Sequence, residues 1–229
     1  GFAATARPLA PGAPLEPRDL LRYAPGNPAV VLSSHLGPEV VRALLLSGAM
    51  TSSWLDLGEA AARLAAGMGG GLDVLGYTRA SVVPGEGQAW GSESAVRWEA
   101  SLEDAAAVET ALQDRTRRRL QNGERTVWRL RIRKGVLNAA AGPAPSGPPR
   151  DVLAELSERF GGGAFGPGHL SLYVDLPMIH ESFLDAAEPI PALLPRGQHL
   201  FLDAAATGDG LAIRGRLSLI PENEWLGRR

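Results

Sequence analysis

Three histidines occur in the second half of the sequence among acidic residues with which they could share chemistry. They are His169, His180 and His199, and the acids nearby include Asp175 and Asp203. A zinc site normally has two ligands at close spacing on one face of an element and a third that converges on them. The sequence has no His-x-x-x-His or His-x-His pair, and His169 and His199, which each open a predicted strand, are neighbours only if those strands run parallel. We therefore predict no metal site, and acid–base chemistry would require one of these imidazoles to meet a carboxylate in a cleft.

The other patterns that could carry catalysis are incomplete. The run Gly67-Met-Gly-Gly-Gly71 follows a predicted helix and lacks the lysine of a phosphate-binding loop, so we interpret it as a helix stop. There is no Gly-x-Ser-x-Gly motif, and the single lysine, Lys134, does not complete a Ser-x-x-Lys motif. The lack of cysteine excludes thiolate zinc sites, iron–sulfur clusters and disulfides. We predict no catalytic residue, no cofactor and no enzymatic activity.

Positive charge is concentrated in one predicted helix and in the strand that follows it. In that strand Trp128, Leu130 and Ile132 alternate with arginines on the opposite face. The side chains of the predicted binding surface are Arg117, Arg118, Arg129, Arg131, Arg133, Trp90 and Trp225. The alternative is that the arginines are simply a solvated helix end and the outer face of a sheet.

Two kinds of partner suit this predicted surface. Arginines can bind an acidic protein or anionic lipid headgroups, whereas nucleic acid is disfavoured because aromatic stacking residues are not interleaved with them. Trp90 belongs to a polar loop and Trp225 to the C-terminal tail, where an exposed ring can anchor a partner.

Hydrophobic periodicity predicts an α+β fold. Alternating segments predict paired strands, and longer segments with a helical period predict helices that begin at Pro38, after Asp56, after Ser101, at Asp151 and at Pro177. The predicted architecture is a largely antiparallel sheet covered on one side by helices, with a wet face on the other. Each half of the chain has a strand, a helix that starts with proline, and a hairpin, which suggests two similar units.

Composition sets limits on domains and location. The 229 residues carry a net charge of −2, so the whole chain is not a general polyanion binder. Residues 1–17 are rich in alanine and proline and predict an extended tether, and no apolar run approaches the length of a membrane span. We expect a single domain over 18–220, with halves 18–141 and 151–220 around a Gly/Pro-rich linker at 142–150, and a tail at 221–229. The tether and the lack of unpaired thiols favour an exported protein held in the periplasm or on the outer surface of a bacterial membrane.

A series of short patterns occurs in a recognisable order along the chain. The patterns are Tyr23-Ala-Pro-Gly-Asn-Pro-Ala-Val-Val31, Gly71-Leu-Asp-Val-Leu-Gly76, Trp98-Glu-Ala-Ser-Leu-Glu-Asp104, Gly135-Val-Leu-Asn-Ala-Ala140, Leu172-Tyr-Val-Asp-Leu176 and Gly208-Asp-Gly-Leu-Ala-Ile-Arg-Gly215. Together they resemble a family of exported, often lipid-anchored bacterial proteins known only as a domain of unknown function. The resemblance covers about residues 23 to 220 and departs at Gly26-Asn27, where an acid and a threonine are expected. It implies a location in the cell envelope and carries over no catalytic residue.

The sequence thus favours a non-enzymatic, exported cell-envelope protein that binds another envelope protein or complex, or serves as its accessory subunit. An alternative is a carrier of lipid or another apolar ligand, in a cavity between sheet and helices lined by the small residues of 60–66, 139–141 and 204–206. A third hypothesis is a hydrolase-type enzyme that uses the histidines of the second half with an aspartate.

Overall fold

The structure is a computed structural model that describes residues 18–46, 60–82, 90–121, 129–142, 145–161, 163–178, 197–207 and 210–219. The helices are α1 (Asp19–Arg22), α2 (Pro38–Leu46), α3 (Ala60–Ala66), α4 (Ala105–Gln121) and α5 (Val152–Phe160). The strands are β1 (Ala24–Pro25), β2 (Val30–Ser34), β3 (Met68–Val82), β4 (Trp90–Leu102), β5 (Arg129–Arg133), β6 (Val136–Ala141), β7 (Pro149–Arg150), β8 (His169–Asp175), β9 (Gly197–Thr207) and β10 (Gly210–Leu219). The predicted tether at 1–17 and tail at 221–229 lie outside the described residues.

Eight strands form one antiparallel sheet in the order β10-β9-β8-β2-β3-β4-β6-β5, and β1 pairs with β7 in a separate two-stranded sheet. The predicted α+β class with a largely antiparallel sheet is confirmed. Both predicted halves contribute to the large sheet, and they meet where β2 pairs with β8.

The register of the sheet relates these two halves to each other. Ser33 in β2 lies opposite Ser171 in β8. On its other side each serine faces an aspartate, which is Asp73 in β3 for the first half and Asp203 in β9 for the second. A local twofold axis between β2 and β8 would therefore superpose the strand and hairpin of one half on those of the other.

Helices pack on both faces of the sheet. On one face α2, α3 and α4 cover a hydrophobic cluster that includes Leu72, Trp98 and Leu137. On the opposite face α1 and α5 pack with Leu75 and Phe201 in a second cluster. The expectation that helices cover a single side is therefore wrong for the central strands, where the predicted wet face is buried. Trp98 is in the core, as its inward position in the alternating strand predicts.

The prediction that the glycine run at 67–71 stops a helix is confirmed, because α3 ends at Ala66, and the same run also begins the long strand β3. A Cβ atom on Gly69 would lie 2.6 Å from the hydroxyl of Ser101, and the N–H of Gly71 donates to that hydroxyl at 2.9 Å. The glycines thus allow β3 and β4 to approach closely at an irregularity in their pairing. Ser101 is consequently not the cap of α4; the carboxylate of Asp104 accepts the N–H three residues further on at 2.9 Å.

Candidate functional site

A row of polar side chains crosses the large sheet, with one residue from each strand. In spatial order they are Arg214, Asp203, Ser171, Ser33, Asp73, Glu99, Asn138 and Arg131. Directly opposed residues of antiparallel strands project from the same face, which here is the face that α1 and α5 partly cover. The five central residues of the row are at most 2% exposed. Buried ionisable groups must be paired or neutralised, so the partners of this row determine its chemistry.

Asp73 is held by a guanidinium that comes from the start of the described chain. Arg18 donates from Nε to Oδ2 of Asp73 at 2.9 Å and from Nη2 to Oδ1 at 2.8 Å, in a two-point contact. Arg18 also donates to the hydroxyl of Ser33 at 2.9 Å and to the carbonyl oxygen of Phe165. Burial alone would raise the pKa of Asp73, but the contact from His35, whose Nε2 lies 3.5 Å from Oδ1, and the charge of Arg18 together hold that pKa below its ordinary value.

Glu99 lies beside Asp73 in the row, and its pKa is shifted in the opposite direction. Burial, and then the negative charge of Asp73, raise the pKa of Glu99 to about 8. The N–H of Leu20 donates to Oε1 of Glu99 at 3.2 Å, which offsets only part of that rise. In the second half of the sheet the corresponding position, next to Asp203, is Arg214. Because Glu99 replaces that arginine beside Asp73, the balancing cation must come from elsewhere, and Arg18 supplies it.

Asp203 forms the second charged centre of the row. Its carboxylate accepts from the Ser171 hydroxyl at 2.6 Å and from Nε of Arg214 at 2.8 Å, and Nδ1 of His169 lies 3.0 Å away. The Ser171 hydroxyl in turn accepts from the N–H of Phe165 at 2.9 Å. Here the acid lies between the serine and the histidine, whereas a nucleophilic triad needs the histidine between the other two. The arrangement can fix a loop onto the sheet, but it does not activate Ser171.

Replacing Ser171 with alanine should lower the free energy of unfolding by about 2 kcal/mol, because the change leaves a buried N–H and a buried carboxylate each short of one partner. Urea denaturation measures this loss. The matched control is Ser146→Ala at an exposed serine, for which we expect a change within about 0.5 kcal/mol. Equal values for the two variants would contradict the role given to the Ser171 hydroxyl.

His199 lies at the other end of β9, opposite Asp175 in register. Its ring contacts Phe160 edge to face at a centroid distance of 5.5 Å, and Nδ1 lies 2.9 Å from Nη2 of Arg159. Burial and then the nearby charge of Arg159 lower the pKa of His199. The environment therefore favours a neutral imidazole that packs as an aromatic ring.

The histidines considered in the sequence do not converge where the structure describes them. Because β8 and β9 are antiparallel, His169 and His199 sit at opposite ends of the strand pair. His180 lies outside the described residues. In the described ranges, no three histidine, aspartate or glutamate side chains are grouped so that they could hold a metal ion. His169 does meet Asp203, which is the contact that the hydrolase hypothesis requires.

Four arginines lie on one face of the sheet near its β5 edge, and we call this cluster the arginine face: Arg129, Arg131 and Arg133 of β5, and the partly buried Arg97 of β4. The predicted alternation in β5 is confirmed, because the three arginines of this strand are exposed while Leu130 and Ile132 pack against the core on the other side. Arg97, which was not among the residues of the predicted binding surface, lies across β6 from Arg129 in one row of the sheet. Desolvation and the charge of Arg129 both lower the pKa of Arg97. No carboxylate in the described part of the chain forms an ion pair with these four guanidinium groups.

The remaining residues of the predicted binding surface are only partly placed. Arg117 and Arg118 belong to α4 and Trp90 is the first residue of β4, but the structure describes the backbone alone at these three positions. Trp225 lies outside the described residues. Its proposed role as a docking anchor, like that of Trp90, remains a prediction.

The last strand, β10, differs from its prediction. Alternation predicts that Leu211, Ile213 and Leu217 point inward, yet these side chains are 44%, 74% and 46% exposed. The alternation itself is present, since their neighbours Arg214 and Arg216 belong to the opposite face of the strand. The prediction is wrong about burial because no helix of the described chain covers this end of the sheet on the leucine side.

Comparison with known proteins gives no relative from which a role could be transferred. No family model matches the chain, and neither a curated protein nor a solved structure matches it. The resemblance to exported, lipid-anchored proteins therefore remains a prediction. Within the described residues, no helix has the length and apolar character required to cross a membrane.

Proposed function

We propose that this protein is a non-enzymatic cell-envelope binding protein or accessory subunit that acts through protein–protein contacts at the arginine face. The observation that carries the proposal is the cluster of four guanidinium groups without a carboxylate partner among the described residues. Its location in the envelope rests on the Ala/Pro-rich residues 1–17 and on the family resemblance.

The charge of this face favours an acidic protein surface as the partner. Arg129 is close enough to Arg97 for its charge to lower the pKa of Arg97, and such crowding of like charges costs free energy. Carboxylates from a partner would remove that cost and could bind guanidinium groups at two points. Since exposed charges mainly set association rate and specificity, we expect binding that depends strongly on salt.

A catalytic role has less support. The contact between His169 and Asp203 is the one observation in its favour. However, Ser171 and Arg214 bind the same carboxylate, and that set of contacts is what a structural anchor requires. We therefore assign Asp203 to the stability of the sheet.

The partner can be identified by purifying the protein with its native N-terminal segment from its own organism and analysing the bound proteins and lipids by mass spectrometry. A stoichiometric acidic protein supports the proposal. Recovery of lipid alone would favour the carrier hypothesis instead, and recovery of neither would contradict both.

Charge reversal at the arginine face then tests the contact with the partner so identified. We expect Arg131→Glu to weaken binding about fivefold at low salt, because one exposed ion pair becomes a repulsion. The difference should nearly vanish at about 1 M salt. Arg22→Glu is the matched control, since this exposed arginine of α1 lies outside the arginine face. An equal effect of both reversals would mean that net charge, and not the arginine face, governs binding.

A further inference from the structure

The strand β10 offers a second surface, at the edge of the sheet opposite to the arginine face. Every residue from 211 to 217 is exposed, and Leu202 of the neighbouring strand β9 adds 39% of its surface to the same apolar side. The side chain of Leu202 leans over Gly215, where a Cβ atom would lie 2.9 Å from its Cδ2. Among the described strands β10 pairs with β9 alone, so its outer edge has no strand beside it. An edge of ten residues with apolar side chains on one face is a template for another strand.

We propose that β10 binds an extended segment of another protein, which adds a strand to the sheet and alternates apolar with acidic residues. Main-chain hydrogen bonds along the edge would supply affinity, and side chains on the two faces would supply specificity. On one face the added strand would cover Leu211, Ile213 and Leu217. On the other face it would meet Arg214, which is 55% exposed although it also binds Asp203, and the exposed Arg216. Opposite charges in directly facing positions stabilise a strand pair.

A second copy of this chain fits the edge less well. A twofold antiparallel pair keeps each face of the strand on the same side, so apolar residues face apolar ones and charged residues face charged ones. The two such registers nearest to complete overlap of residues 210–219 place Arg214 opposite either Arg214 or Arg216 of the second copy, and facing like charges destabilise a pair. An acidic, alternating segment avoids this fault.

Two labelled synthetic peptides test the proposal on the whole protein: Val-Glu-Val-Glu-Val-Glu-Val and its lysine counterpart, Val-Lys-Val-Lys-Val-Lys-Val. We expect fluorescence anisotropy at low salt to show at least tenfold tighter binding of the glutamate peptide. Amide hydrogen exchange should slow in 211–217 when that peptide is bound. The variant Arg216→Glu should lose the preference or reverse it, and Ile213→Asp should weaken binding of the glutamate peptide by at least tenfold.

Leu46→Asp is the control for Ile213→Asp, because it makes the same change at an apolar residue of α2 that is 54% exposed. Equal binding of the two peptides, no binding of either at millimolar concentration, or equal effects of the two aspartate variants would each overturn the proposal. Sedimentation showing a dimer that Ile213→Asp dissociates would also overturn it, in favour of a second copy as the occupant. The exchange result at 211–217 and the variants at Arg216 and Ile213 refer to β10 alone, so they separate binding at this edge from attraction of the glutamate peptide to the arginine face.

Discussion

Replacing Arg18 with methionine should lower the free energy of unfolding by about 3–5 kcal/mol at neutral pH, the usual consequence of removing one partner from a buried ion pair. Methionine keeps much of the length of the side chain but leaves the carboxylate of Asp73, which is fully buried, without its guanidinium. The loss should shrink as the pH falls toward 4, because a protonated Asp73 is no longer a buried charge. In the native protein the pKa of Asp73 is lowered, so its contribution is present above the unfolded value of 3.8 and is lost only below it. Urea denaturation at several pH values measures both effects.

A double-mutant cycle separates the loss of the ion pair from the other effects of replacing Arg18 on stability. In the double variant Arg18→Met, Asp73→Asn, no charge is left unpaired between these two residues, so we expect a loss well below the sum of the two single losses. A coupling energy of about 2 kcal/mol or more would be typical of such a pair. Arg22→Met, at an exposed arginine of the helix α1 that follows Arg18, should change stability by less than about 0.5 kcal/mol. Additive losses at Arg18 and Asp73 would contradict the pairing as the source of stability.

Local features of the fold could be predicted because they depend on neighbouring residues. The alternating segments on either side of Lys134-Gly135 predict a hairpin, and the structure has the β5–β6 hairpin there, with positive φ at both residues as in a type I′ turn. The start of α2 at Pro38 is confirmed for the same kind of reason. The exposure of the apolar face of β10 could not be predicted, because an alternating pattern identifies two faces of a strand and does not reveal what covers them.

The row of polar side chains across the sheet could not be predicted from the sequence, although the sequence around one of its residues indicates burial. Asp73 is a lone acid between Leu72 and Val74 in an apolar segment, which indicates a buried carboxylate in need of a partner. The partner, Arg18, is 55 residues away in the sequence. Only the register of the sheet and the return of α1 onto it bring the two together. Alternation places Glu99 on the face of its strand opposite to Trp98, but the burial of Glu99 depends on the same return of α1.

The variant Glu99→Gln should be more stable than the native protein at alkaline pH, by about 3–5 kcal/mol, and within about 1 kcal/mol of it around pH 5. The pKa of Glu99 is about 8 in the folded protein and 4.5 in its ordinary state. Between these pH values Glu99 therefore keeps its proton in the folded protein and releases it in the unfolded chain. The native protein therefore loses stability as the pH rises from about 4.5 to about 8, and the loss levels off above that. Glutamine is neutral at every pH, can still accept from the N–H of Leu20, and has an amide N–H in place of the acid proton. Urea denaturation at pH 5, 7 and 9 on both proteins gives the difference.

Glu109→Gln is the matched control, because Glu109 is exposed on α4, and its effect should stay within about 0.5 kcal/mol. Parallel stability profiles for Glu99→Gln and the native protein from pH 5 to 9 would contradict the raised pKa of Glu99. The cause of the rise can be separated with Asp73→Asn, which removes the neighbouring negative charge but keeps the burial. Since burial is the larger cause, that variant should retain most of the pH dependence due to Glu99 and lose a minor part of it. If Asp73→Asn instead removed the dependence entirely, repulsion between the two carboxylates would be the main source of the shift.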